Sequence, residues 1–299
     1  MTLKLCANLT FLFTDLPFLD RFEAAAKAGF AGVEMLSPYE HPAKTVRERL
    51  DGAGLRQALF NTFAGNREGG ERGMACIPGR ERELKDSVRQ ALDYAAALDC
   101  KLIHSMAGIP PRDVPFDTAA ALYAIHLAWA AEQAQAAGVR LVIEAINQHD
   151  VPGYFLRTQE QAAAIVAAVG ADRVGLQFDL YHCQTAQGDV TRRLEALMPL
   201  IAHMQLADVP GRQAGDGRDR LGASVRAHPD ARLRRLDRLR VSAPGRHGSR
   251  PGLAAALCRL ARPPDIRSPR TPATVMSMSS IRSASPTSRG AATRPAPPR

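Results

Sequence analysis

At 299 residues the chain is long enough to bury one large core, and no apolar run reaches the 18 residues of a membrane-spanning helix. Its formal charge of +9 suggests a polyanion binder until it is divided by position: residues 213–299 hold 18 Arg, no Lys, five Asp and no Glu, whereas residues 1–212 carry a net charge of −4. Five cysteines, an odd number without a Cys-x-x-Cys pair, exclude a disulfide framework and a cysteine-based metal site, and with no signal-type N-terminus the expectation is a cytoplasmic protein.

In chain order, strand-type runs are expected at 3–9, 32–36, 57–62, 102–106, 140–146, 174–180 and 201–207. Helical spacing falls between them at 18–28, 43–53, 80–98, 118–137, 159–169 and 189–198. Gly29, Gly54, Gly138 and Gly170 stand where helices should end. Seven strands alternating with six helices predict a parallel α/β barrel of about seven βα units, a (β/α)8 barrel that has not closed. A doubly wound sheet is disfavoured, because no Gly-x-Gly-x-x-Gly turn follows the first strand. The connection from Asn61 to Pro78 is long, with glycines at 65, 69, 70 and 73, and its place after the third strand suggests a lid.

Beyond Arg212 the composition changes. Residues 213–299 are rich in Arg, Pro and Ser and offer little to bury, so a domain at 1–212 followed by a disordered basic tail is expected. A sharper reading comes from one nucleotide out of register. With suitable synonymous codons, Arg232 to Ser242 becomes Gly-Tyr-Asp-Gly-Trp-Ile-Gly-Cys-Glu-Tyr, and Gly217 to Gly222 becomes Gly-Glu-Ile-Asp-Trp. Two well-formed stretches in the right order point to a frameshift between Arg212 and Gly215.

Three polar residues end successive apolar runs: Glu144, Asp179 and Gln205 on the fifth, sixth and seventh strands. In a parallel barrel such positions converge on one mouth, so two carboxylates and an amide oxygen form a hard oxygen site suited to Mg2+ or Mn2+. His182 and Arg212 fall at the same mouth and are candidates to hold an anionic substrate. His104 and His203 lie inside apolar strands and are expected to be structural or to support the site from behind, and Asn8 and Asn61, ending the first and third strands, could line the pocket as polar contacts or simply end the strands. No Ser-His-Asp order and no phosphate-binding Gly-rich loop with Lys is present.

These stretches resemble the hydroxypyruvate isomerases, a branch of the xylose-isomerase-like divalent-metal barrels. The resemblance rests on Ala7-Asn-Leu-Thr10, Phe18-Leu-Asp-Arg-Phe22, Gly29-Phe-Ala-Gly-Val-Glu34, Gly70-Glu-Arg-Gly73 and Cys76-Ile-Pro-Gly-Arg-Glu81. It continues in Ile143-Glu-Ala-Ile-Asn147, Val151-Pro-Gly153, Gln177-Phe-Asp-Leu-Tyr-His182 and His203-Met-Gln-Leu-Ala-Asp208, and spans residues 3–212. It implies an intramolecular oxidoreductase that interconverts hydroxypyruvate and 2-hydroxy-3-oxopropanoate through an enediol, acting on a small hydroxy-oxo acid with a divalent metal. Glu144 would be a metal ligand and a proton-transfer carboxylate, Asp179 and Gln205 further ligands, and His182 and Arg212 substrate contacts.

The same resemblance implies a fourth ligand and second catalytic carboxylate, a Glu in a Gly-Cys-Glu-Tyr stretch on the eighth strand. This chain has no Glu after Glu195, and the shifted reading places that codon across Arg240 and Val241. As written, the chain is therefore expected to lack a ligand, half of its acid/base pair and its closing strand, and to be impaired as an enzyme. A sister isomerase acting on 2-oxo-tetronate is the nearest alternative, because Ala58-Leu-Phe-Asn-Thr62 and His104-Ser-Met-Ala-Gly108 also suit that branch. A metal-dependent endonuclease of the same barrel type would need a basic mouth, and a nucleic-acid-binding arm is the remaining reading of the tail. No specific nucleic acid and no membrane partner is expected, and a homo-oligomer is compatible with the chain.

Overall fold

The computed structural model describes residues 5–207 and 209, together with the backbone of 239–241. All of these fall in one compact unit over Met1–Pro263. Eight parallel strands form the sheet: β1 (Leu5–Asn8), β2 (Gly32–Met35), β3 (Arg56–Asn61), β4 (Leu102–His104), β5 (Arg140–Glu144), β6 (Val174–Asp179), β7 (Ile201–Leu206) and β8 (Leu239–Val241). They are hydrogen-bonded in sequence order and β8 pairs with β1, so the barrel is closed. Helices α1 (Arg21–Lys27), α2 (Ala43–Ala53), α3 (Glu81–Leu98), α4 (Phe116–Ala136), α5 (Gln159–Val169), α6 (Leu180–Ala186) and α7 (Val190–Leu197) occupy the crossovers.

The helices form where expected because their apolar residues recur at helical spacing. In α3, Leu84, Val88, Ala91, Ala95 and Leu98 make one buried stripe against the sheet. The Thr158 side chain accepts from the Gln161 amide and starts α5. The main core lies between helices and barrel and includes Phe22, Val46, Leu50, Tyr123, Leu127 and Val166 against Ile103, Leu141, Ile143, Leu176 and Phe178. A second, small cluster of Leu59, Leu102 and Val142, with Ala202 against it, comes from residues two positions before Asn61, His104 and Glu144. Side chains two apart on a strand share a face, so this apolar layer underlies a polar layer inside the barrel.

Two elements differ from the expectation. Helix α6 was not foreseen: it begins directly after β6, with Asp179 both ending the strand and capping the helix by accepting from the Tyr181 amide at 2.8 Å. The closing strand is also present. Leu239–Val241, a segment assigned from composition to the tail, pairs with Met204–Leu206 and with Leu5–Ala7, so the edges of β1 and β7 are not left open over that span. Two flanking edges with unpaired backbone groups accept an extended segment through its main chain whatever its side chains. The remainder of the expected tail lies outside the described residues.

The long connection after β3 is a strap tied down at both ends. Gly73 forms an antiparallel bridge with Ala107, just beyond β4, and the Cys76 amide donates to the Ala107 carbonyl at 2.9 Å. Gly73 has φ +104°, and a Cβ there would collide with the Met106 carbonyl, so the close approach requires glycine. Within the strap the Glu71 carboxylate accepts from the Asn66 amide at 2.6 Å and from the Arg80 guanidinium.

Candidate metal centre

Register places the candidate ligands on one face. Glu144 pairs with Gln177, and Asp179 pairs with Gln205, across adjacent parallel strands. Since Gln177 and Asp179 are two apart on β6, all four side chains face the barrel interior at or near the carboxyl ends of β5, β6 and β7. Glu144, Asp179 and Gln205 are 5 %, 4 % and 1 % exposed, so their polar atoms must be satisfied internally.

Ligand-type atoms of Glu144, Asp179 and His182 lie within 4.8 Å of one another. The His182 ring is oriented by Asn147. Asn147 Oδ1 accepts from the Asp150 amide at 2.8 Å, which fixes that amide group, and its Nδ2 then faces His182 Nδ1 at 2.7 Å. Nδ1 is therefore the acceptor, and a neutral ring carries its hydrogen on Nε2. His182 thus joins the two carboxylates as a group able to hold a substrate or an ion. Arg212, the other expected substrate contact, lies outside the described residues.

Glu144 is held by Gln177, with His104 nearby. Gln177 Nε2 donates to its Oε2 at 2.8 Å, and His104 Nδ1 stands 3.8 Å from the same oxygen. Gln205 Nε2 donates to Glu34 Oε1 at 3.2 Å, while Gln205 Oε1 and Gln177 Oε1 are buried without a hydrogen-bond partner among the described residues. A buried acceptor left unmatched costs roughly 1–3 kcal/mol. Two carboxylates with unsatisfied amide oxygens beside them form a donor set that fits a hard divalent cation, which would remove that cost.

The expected polar pocket contacts are otherwise engaged. Asn8 Nδ2 donates to Glu34 Oε1 at 2.8 Å, and Asn61 Nδ2 contacts the Met106 sulfur at 3.5 Å. His203 Nε2 stands 2.7 Å from Glu34 Oε2. Glu34, Gln177 and Asn147 were not singled out from sequence. Glu34 carries a signal close to that of Glu144, an acid within a short apolar strand, in Gly32-Val-Glu-Met35.

At the register level of Gln205, β8 presents Arg240. No acidic residue occurs in Leu239–Val241, so this strand supplies no carboxylate.

A sequence profile described as the xylose isomerase-like TIM barrel matches residues 22–235. A 2-oxo-tetronate isomerase of Cupriavidus necator is 46 % identical over 213 residues, covering 71 % of this chain and 82 % of that protein. A hydroxypyruvate isomerase of Escherichia coli is 38 % identical over 210 residues, covering 70 % and 81 %. Among solved structures, an AP endonuclease, family 2, from Brucella melitensis superposes with a TM-score of 0.80 at 34 % identity, covering 87 % of this chain and 99 % of that one. An L-ribulose 3-epimerase superposes with a TM-score of 0.69 at 19 % identity, which is a likeness of fold. No helix among the described residues is long and apolar enough to cross a membrane.

Proposed function

We propose, from the premise that this chain belongs to the xylose isomerase-like TIM barrel family, that it is built to interconvert a short 3-hydroxy-2-oxo acid and its 2-hydroxy-3-oxo isomer. The observation that carries this reading is the inward-facing set of Glu144, Asp179 and Gln205 on three successive strands. Glu144, Asp179 and the Gln205 amide oxygen would hold Mg2+ or Mn2+. The cation, when bound, supplies positive charge that makes a carbon-bound proton next to a carbonyl more acidic.

The chain's own residues supply the rest. Glu144 takes the proton from C3 of the substrate while the C2 carbonyl oxygen gains one, which gives the enediol; a proton delivered to C2 and release of the O3 hydroxyl proton then complete the 2-hydroxy-3-oxo product with no net change in protons. Gln177 keeps the Glu144 carboxylate in place. The His182 Nε2 hydrogen is a donor for a substrate oxygen. With Arg240 at the level where a second carboxylate is expected, the return of the proton lacks its partner, and turnover by this chain is impaired.

Hydroxypyruvate is the substrate favoured by the Gly70-Glu-Arg-Gly73 and Val151-Pro-Gly153 stretches. The four-carbon 2-oxo-tetronate is a second reading, supported by the 46 % identity to an isomerase of that name. Measuring kcat/KM for both acids with the Arg240→Glu variant, in Mg2+ and again with EDTA, tests the proposal. Activity on at least one acid that EDTA abolishes supports it, and no isomerisation of either acid, or turnover indifferent to EDTA, counts against it.

A further inference from the structure

We propose that Glu34 is a positioning residue for the metal centre, holding the Gln205 amide in the one orientation that leaves its carbonyl oxygen to a cation. The inference rests on the metal-centre reading above. An amide side chain has two orientations of nearly equal shape that exchange donor and acceptor, and only contacts decide between them. Here Nε2 of Gln205 meets Glu34 Oε1 at 3.2 Å. The flipped amide would set a carbonyl oxygen against a carboxylate oxygen, a repulsive pair in a site from which water is excluded.

Glu34 is able to do this because it is itself fixed. It is 0 % exposed, and its two oxygens face Asn8 Nδ2 at 2.8 Å, His203 Nε2 at 2.7 Å and Gln205 Nε2 at 3.2 Å. Asn8 is held in turn, its Oδ1 accepting from the Thr10 amide at 3.0 Å. Against a carboxylate, His203 Nε2 can only be the donor, so Asn8, His203 and Gln205 each give a hydrogen. The Cys6 thiol, 3.8 Å from Oε2, belongs to the same enclosure. Cys6, Glu34 and His203 thus group as metal-type ligands, but these donors already use the lone pairs a cation would need.

The test is Mn2+ binding by titration calorimetry on the full chain. Glu34→Gln offers one acceptor oxygen where a carboxylate's two had met these donors, so Gln205 is no longer oriented and Mn2+ affinity should fall by about tenfold or more. Glu34→Gln combined with Gln205→Glu restores a donor–acceptor match, and a carboxylate at 205 needs no orienting. This swap should bind Mn2+ within about threefold of the parent chain, and it serves alone if the single variant does not fold. Unchanged affinity in folded Glu34→Gln, or a folded swap as weak as that single variant, overturns the assignment and leaves the function standing. Absence of Mn2+ binding by the parent chain overturns the metal centre and this inference together.

Discussion

Asp179 on β6 and Gln205 on β7 are register partners, and Asp179 does two jobs with one carboxylate. One oxygen caps α6 by accepting from the Tyr181 amide at 2.8 Å, and the group also lies within 4.8 Å of ligand atoms on Glu144 and His182. Asp179→Asn keeps the capping oxygen and removes the charge. Its unfolding free energy from urea titration should therefore change by less than about 0.5 kcal/mol, while Mn2+ affinity falls at least about tenfold. A large loss of stability with unchanged Mn2+ affinity would show that Asp179 is only a cap.

Gly73 carries the close approach between the strap and the segment after β4. Gly73→Ala places a Cβ against the Met106 carbonyl at φ +104° and should destabilise the chain by about 2 kcal/mol. Equilibrium urea unfolding measures this, and a change below about 0.5 kcal/mol would mean the bridge to Ala107 is dispensable.

The strap is also sensitive to acid. The hydrogen bond from Arg80, then that from the Asn66 amide, hold the Glu71 carboxyl below its ordinary 4.5, against a smaller opposing effect of burial. A carboxyl depressed on folding contributes stability that is present above its unfolded pKa and is lost as pH falls through its lower folded value. The stability difference between the parent chain and Glu71→Gln should thus be full above about pH 5 and shrink steadily below pH 4.5. A difference that does not vary with pH would remove the ion pair from the account.

Thr158→Ala removes the side-chain acceptor for the Gln161 amide at the start of α5 and should cost about 1 kcal/mol. Because the Thr158 side chain bonds only to Gln161 among the described residues, the loss should leave Mn2+ affinity unchanged in the folded protein. A shift in metal affinity would reveal a coupling that the contacts do not show.

The parts of this fold written in local signals were legible in the sequence. Helices α2 and α5 begin and end within the expected spans because Thr158, Gly54 and Gly170 mark their ends. Glu144, Asp179 and Gln205 stood out because each closes an apolar run. What escaped was non-local or compressed. Helix α6 shares Asp179 with the strand before it, so no linker announces it. Glu34 gains its meaning only from partners on β1 and β7, the latter 169 and 171 residues away. Strand β8 is only three residues long and sits in an Arg-rich stretch, and its pairing comes from the two edges beside it.

The central claim is that a carboxylate and metal site for proton transfer is built here but lacks its partner on β8. The most direct test is the rate at which deuterium from D2O enters C2 as hydroxypyruvate becomes 2-hydroxy-3-oxopropanoate in Mg2+, followed by NMR for the chain as written and for Arg240→Glu. The account predicts slow incorporation by the chain as written, at least about 100-fold faster incorporation in Arg240→Glu, and loss of that gain on adding Glu144→Gln. Rapid incorporation by the chain as written, neither raised by Arg240→Glu nor lowered by Glu144→Gln, would contradict it.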